Sequence, residues 1–401
     1  MTLQFENPFR PGAGHMPPYL AGRKAEEQEF RKLLSQTTIL DNLILTGLRG
    51  VGKTVLLETL KPIAIQEKWL WVGTDLSETT SVSEHNFAIR ILTDLSVVTS
   101  AITLTVGEKP SAGFGGVDTP ILQSVNFEYL KRIFDETPGL VLDKLKNVLE
   151  LVWQLVKRTD RRGVIFAYDE AQNLADNSAK EQFPLSVMLD LFQSIQRKGI
   201  PFMLALVGLP TLFPKLVEAR TFAERMFRVV SLGQLGEHDR RDAITKPVSD
   251  ARCPIKFSAP SVAVISDLSG GYPYFIQFIC REVFDVWIQR IDAGESASIP
   301  VDSIQRKLDT DFFAGRWARA TDRQREMLLV ISTLENRDAE FSVQDIVDAS
   351  GSVLEKGFGS SHTNQMLVAL ANAGLIYKNR YGRYSLAVPL MADFIRRQTN
   401  S

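Results

Sequence analysis

The sequence predicts an α/β fold: a parallel P-loop sheet with helices on both faces, followed by an α-helical lid and a C-terminal winged-helix domain. Three observations carry this expectation. Short apolar runs alternate with helical periodicity over residues 42–231. The segment Gly47-Leu48-Arg49-Gly50-Val51-Gly52-Lys53-Thr54 joins the first of those runs to the first of those helices. Beyond residue 317 the rhythm changes to three helical stretches and a hairpin pattern. The 401 residues are 44% hydrophobic and 23% charged, enough for two or three compact units with ordinary cores. The expected units are a proline-rich arm (1–24), an α/β domain (25–236, with an insertion at about 99–137), a helical lid (237–316) and a winged helix (317–401).

The arm carries four prolines between residues 7 and 18, which remove backbone donors and push their neighbours into extended conformations. It is an ordered arm or a tether. A helix is expected from Ala25 to Leu34, with Phe30, Leu33 and Leu34 on one side. Strands are expected at 42–46, 69–73, 163–168, 202–207 and 227–231. Helices are expected near 53–66, 84–98, 138–158, 183–198 and 210–219. That alternation means a parallel sheet covered on both faces. Pro62 is expected to kink or end the helix that contains it. Between 99 and 137 the periodicity lapses into a glycine-rich stretch around Phe114, either a plain surface loop or one that contacts a partner. In the lid, Val262, Ile265 and Leu268 fit one helix ended by Gly270-Gly271, and Phe275, Phe278, Ile279, Val283 and Val286 line another. The last unit has helices marked by Met327 to Leu334, Ser342 to Val347 and Met366 to Leu370, then a hairpin turning at Asn379-Arg380-Tyr381-Gly382.

Gly47 to Thr54 fits G-x-x-x-x-G-K-[ST] in its proper context, after the apolar run Leu43-Ile44-Leu45-Thr46 and opening the stretch that begins at Val55. Glycines let the chain curl so that backbone N–H groups of Arg49, Gly50, Val51 and Gly52 face inward, where the next helix aims its own unpaired donors and positive dipole end. A polyphosphate belongs there. Lys53 would reach the β- and γ-phosphates of ATP, and the Thr54 hydroxyl would coordinate Mg²⁺. A second apolar run ends in Tyr168-Asp169-Glu170. Asp169 would hold the Mg²⁺ through water, and Glu170 would orient and deprotonate the attacking water.

The order Leu20-Ala21-Gly22-Arg23, P-loop, Tyr168-Asp169-Glu170, a helical unit with Gly271-Tyr272-Pro273 and a winged helix resembles AAA+ ATPases of the Orc1/Cdc6-like group and their relatives among the STAND and archaeal-type ATPases. The resemblance covers nearly the whole chain apart from 99–137. It implies ATP as ligand, with Tyr19, Leu20 and Gly22 packed against the adenine and Pro273 approaching the base from the lid. It also implies a homo-oligomer in which a neighbour supplies an arginine, for which Arg225 is the candidate and Arg220 and Arg228 the competitors. Two departures stand out. Val207-Gly208-Leu209-Pro210-Thr211 lacks a clear polar sensor at the strand end, and Gly270-Gly271-Tyr272-Pro273 stands where initiator-type relatives place an arginine. A slow, switch-like ATPase fits this better than a processive motor.

The formal net charge of −1 denies the chain a global basic field. Residues 321–401 balance nine Lys/Arg against nine Asp/Glu, so duplex DNA would meet only a local patch: the polar run Ser360-Ser361-His362-Thr363-Asn364-Gln365 and a wing with Lys378, Arg380 and Arg383. Packing against protein, as in STAND-type relatives, is the alternative, with an effector protein as partner. Cys253 and Cys280 have no metal-type spacing, and no run is long and apolar enough to span a bilayer. A cytoplasmic setting without membrane contact is expected.

Overall fold

In the computed structural model the described residues are 6–12, 14–109, 119–253, 255–292, 298–337, 340–380 and 382–399. Five parallel strands form the main sheet: β1 (Asn42–Thr46), β2 (Trp69–Val72), β5 (Gly163–Tyr168), β6 (Phe202–Gly208) and β7 (Phe227–Ser231), in the order β2-β5-β6-β1-β7. β3 (Thr103–Lys109) and β4 (Thr119–Ser124) form a separate antiparallel pair. The register sets Thr46 beside Gly208 and Tyr168 beside Leu206, so Gly47, Asp169 and Leu209 leave the sheet along one edge. In open α/β sheets the crevice outside the carboxyl ends of the strands is where ligands bind.

Alternation along the strands explains the two apolar layers, because successive side chains point to opposite faces. Leu43, Leu45, Ile165 and Ala167 pack with the helices Lys24–Leu34 and Lys53–Gln66. Ile44, Val164, Phe166 and Tyr168 pack with Glu84–Thr99, Val141–Val156 and Pro184–Arg197. Both faces are covered, as the uninterrupted burial of β1, β5 and β6 requires. The helix containing Pro62 runs on to Gln66, so the proline does not end it.

The stretch at 99–137 is more regular than its composition suggests. β3 and β4 pair, and a helix follows at Phe127–Glu136. The base of the hairpin is fixed by Val125 N–H donating to Ile102 O at 3.0 Å and by the Thr99 hydroxyl donating to Val125 O at 2.6 Å. Phe114 lies outside the described residues.

Helices Glu237–Asp250, Ala259–Ser269, Pro273–Asp292 and Val301–Leu308 follow the sheet. Gly270, at φ +56°, ends the second of them in the left-handed conformation that glycine adopts freely. A π-turn, Asp309–Ala314, continues into Gly315–Trp317. Three helices (Asp322–Thr333, Val343–Val353, Ser360–Asn372) then precede the antiparallel hairpin β8 (Ile376–Arg380) and β9 (Arg383–Leu386), to which Phe341 adds a bridge at Tyr384. Thr321 and Ser342 cap two of these helices with capping boxes, closed by Gln324 and Asp345.

One apolar core unites this half of the molecule. Ile276, Phe284, Phe313, Leu328, Leu367 and Phe394 belong to it, and so does Phe9 from the arm, 2% exposed. Phe9 meets Phe257 edge-on at 6.0 Å. Asn7 donates to Arg281 O, and Arg10 N–H donates to the Gln277 side chain. Residues 7–10 of the arm are therefore seated across the helix Pro273–Asp292. Among the described residues no helix is long and apolar enough to cross a membrane.

Candidate nucleotide site

The loop after β1 carries Gly50 at φ +82° and Gly52 at φ +87°, conformations that a Cβ would strain. Gly52 caps the helix that Lys53 opens, so the chain turns through the loop directly into unpaired helical donors. Lys53 Nζ donates to Gly47 O at 2.9 Å and Leu48 O at 3.0 Å. Burial lowers its pKa from the ordinary lysine value, the charge of Arg49 adds to that, and Asp169 and Glu170 oppose it. An ammonium so placed gains from an arriving phosphate.

At the end of β5, Asp169 is 4% exposed and accepts from the Thr54 hydroxyl at 2.5 Å. Its other oxygen accepts from Glu170 N–H at 2.7 Å. Burial raises the Asp169 pKa; the Thr54 and Glu170 hydrogen bonds oppose the rise, and the carboxylates of Glu170 and Asp75 add to it. Two oxygens of opposite walls meeting beside further carboxylates suit a hydrated Mg²⁺, which takes few protein ligands. Among the described residues no group of three or more His, Cys, Asp or Glu side chains could hold a metal alone. The donor set fits a magnesium–nucleotide complex.

A cavity of about 470 Å³ lies here; Asp169 is not on its lining and joins it through the Thr54 hydroxyl. Arg49, Gly50, Val51, Gly52, Lys53, Thr54, Val55 and Glu170 form its floor, while Tyr19, Leu20 and Pro273 stand on its walls. Gly47 reaches the site through the carbonyl that Lys53 holds. Gly22 is not on the wall; at φ +51° it lies against the Asp239 carboxylate. Tyr19 is pinned by Lys246, whose ammonium donates to the phenol oxygen at 2.8 Å and lies 4.3 Å from the ring centroid.

The three candidate arginines, Arg220 and Arg225 before β7 and Arg228 within it, separate clearly. Arg220 makes paired hydrogen bonds to Asp190 at 2.9 and 2.8 Å, and Arg228 is bonded to Glu29. Arg225 is exposed on the short 3₁₀ turn Thr221–Arg225, away from this cavity and without a hydrogen bond or ion pair among the described residues. On the helix Ser360–Asn372, Thr363 is buried and faces the core, so only Ser360, Ser361, His362, Asn364 and Gln365 of the polar run meet solvent. In the hairpin Lys378 is exposed, and Arg383 pairs loosely with Asp345 at 3.9 Å.

Sequence reasoning missed several cavity residues. Arg10, Gly12, Gly14 and His15 bring the arm onto the wall, and a Cβ on Gly14 would lie 3.3 Å from the Thr54 methyl. Phe312 enters from the π segment Asp309–Ala314, Arg316 from the turn Gly315–Trp317 that continues it, and Val388 comes from beyond β9. Burial, then the neighbouring Arg49, lowers the Arg316 pKa. Tyr377 on β8 feels Arg49, Arg316 and Glu170 together, although burial dominates and raises its pKa. A π-turn is a recurrent mark of functional sites, but nothing in local periodicity announces one.

Comparison with known proteins agrees with this architecture. The family described as a domain of unknown function (DUF8462) matches residues 310–395. No curated protein matches the chain by sequence. Among solved structures, the chain is similar to a Walker-type ATPase of Pyrococcus abyssi, with a TM-score of 0.56 and 15% identity over 94% of this chain and 96% of that one. At this identity the similarity shows the fold alone, and that fold accords with the resemblance read from the motifs. Cdc6p of Pyrobaculum aerophilum (TM-score 0.47, 13% identity, 97% of each chain) and the Orc1 protein of Aeropyrum pernix in complex with DNA (0.45, 14%, 96% and 94%) are also similar. Scores that low carry no further argument.

Proposed function

We propose that this chain is a Mg²⁺- and ATP-dependent switch ATPase that assembles through its nucleotide sites and acts on DNA or on a partner effector protein in the cytoplasm. One observation carries the reading: the fold brings the P-loop and Glu170 onto one cavity, with Asp169 hydrogen-bonded to Thr54 on its lining, and the arm, the lid and the C-terminal unit also contribute to that lining. Lys53 and the loop N–H groups would hold the phosphates, and Tyr19, Leu20 and Pro273 the base. Thr54 and Asp169 would hold Mg²⁺, which when bound neutralises charge on the phosphate oxygens. Glu170 would accept a proton from water as its oxygen bonds to the γ-phosphorus and the bond to the ADP oxygen breaks. Both cysteines are buried and unpaired, in keeping with a reducing compartment.

The exposed, unpartnered Arg225 supports its role as an arginine given to a neighbour's site. Arg225→Ala should lower turnover by about 10³-fold, the bottom of the range for such arginines, and leave ATP affinity unchanged. Mixing it with Lys53→Ala protein provides the check, since mixed assemblies can join an intact pocket to an intact arginine. No recovery in demonstrably mixed assemblies counts against a shared site.

For the C-terminal unit, which we read as a winged helix, DNA contact through the exposed polar residues of Ser360–Asn372 and through Lys378, Arg380 and Arg383 is the leading reading. A second reading is favoured by Val388 on the cavity wall and Tyr377 beside Arg49: a signalling ATPase of the STAND type whose winged helix packs on protein and follows nucleotide state. Arg380→Glu with Arg383→Glu distinguishes them. If DNA is gripped, duplex affinity falls by about 10-fold or more at low salt and the loss shrinks as salt rises, because counterion release drives that part of binding. Equal affinities for wild type and double variant at two salt concentrations, with altered solution mass, select the second.

A further inference from the structure

The end of β6 lacks a polar side chain, yet a polar side chain occupies the place. Gln172, on the 3₁₀ turn Ala171–Asn173 after β5, donates from Nε2 to the Glu170 carboxylate. Its Oε1 accepts from Leu209 N–H at 3.1 Å, in the residue that follows β6. Gly208 leaves the room: a Cβ there would stand 2.6 Å from that same oxygen. Lys215, on the helix Leu212–Ala219, fixes the turn from the other side by donating to Gln172 O at 2.6 Å. Glu170 itself sits at φ +49°, a conformation that is costly for a residue with a side chain and that persists where surroundings enforce it.

We propose that Gln172 is the positioning residue for Glu170, bracing the base against the end of β6 and standing in for the polar residue that strand lacks. This rests on the ATPase reading above. A carboxylate on a strained backbone is otherwise free to rotate about three side-chain torsions. The amide bridge ties it to the edge of the sheet where the P-loop also emerges. The helix that holds Gln172 through Lys215 leads directly into the turn carrying Arg225, so the base and the arginine for the neighbouring site are joined by one rigid element.

Two variants separate positioning from mere loop anchoring. Gln172→Met keeps the volume and removes both hydrogen bonds. Gln172→Glu keeps an acceptor for Leu209 N–H and places a carboxylate against Glu170. Both should bind ATP within about twofold of wild type, because neither touches the phosphates. In both, kcat should fall between about 10- and 100-fold, the loss expected of a misplaced catalytic group. Amide hydrogen exchange at Leu209 should quicken in Gln172→Met and stay slow in Gln172→Glu. Wild-type kcat in Gln172→Glu with Leu209 protected overturns the assignment and leaves a structural anchor. A wild-type chain that binds ATP and never turns it over overturns hydrolysis, and this assignment with it.

Discussion

Lys53→Ala is expected to weaken ATP binding by at least about 100-fold, since hydrogen bonds to a charged group contribute about 1.5–3 kcal/mol each and two phosphates are contacted. The fold should survive. In the nucleotide-free chain the ammonium satisfies itself on Gly47 O and Leu48 O, and desolvation already pulls its pKa below the ordinary lysine value. A lysine whose pKa is lowered by folding costs stability at every pH below that lowered value, because the charged form is the one disfavoured. The nucleotide-free variant should therefore melt at or above the wild-type temperature, while the shift that ATP gives the wild type disappears. Calorimetric titration with ATP, beside thermal melts with and without nucleotide, checks both parts. Unchanged ATP affinity in a folded variant would remove the P-loop assignment and with it the proposed function.

Glu170→Gln is expected to keep ATP affinity and lose turnover by about 10² to 10⁴-fold, the range for removal of a general base. The carboxamide retains the shape, can still meet the Gln172 side chain after an amide flip, and cannot take the proton of water. If nucleotide state controls assembly, this variant should accumulate as the ATP-bound assembly, so solution mass in ATP should exceed that of wild type after prolonged incubation. Single-turnover hydrolysis and light scattering supply the measurements. Unchanged turnover would move the base elsewhere, and Asp75, exposed beside Asp169, would be the next residue to replace.

The sheet was legible because its central strands β1, β5 and β6 are buried on both faces and therefore appear as continuous apolar runs bounded by turns. β1, β5 and β7 fall at their expected limits, and β2 and β6 differ by one residue at one end. Helices with clear caps were legible for the same local reason; Ser83, Thr321 and Ser342 each accept from a backbone N–H of the first turn. The stretch at 99–137 was less so. Hairpin strands β3 and β4 carry Gly107 and Pro120, residues that weaken any strand pattern, and it is their pairing and the anchor at Thr99 and Val125 that order them.

The motifs of the candidate nucleotide site were legible in the sequence: a P-loop pattern needs glycines, a lysine and a hydroxyl at fixed spacing, and the acids after β5 need only to follow a buried strand. Each is a local pattern. The surroundings of the site were decided by tertiary structure alone. Phe9 seats the arm in a core more than two hundred residues away in sequence, Arg316 and Val388 reach the cavity from the far half of the chain, and Gln172 fills the gap beside Gly208. Such contacts leave no periodic trace, because they depend on which surfaces meet once separate helices have buried their apolar faces together. The same physics turned Thr363 inward and left Arg225, of the three candidate arginines, without an intramolecular partner among the described residues.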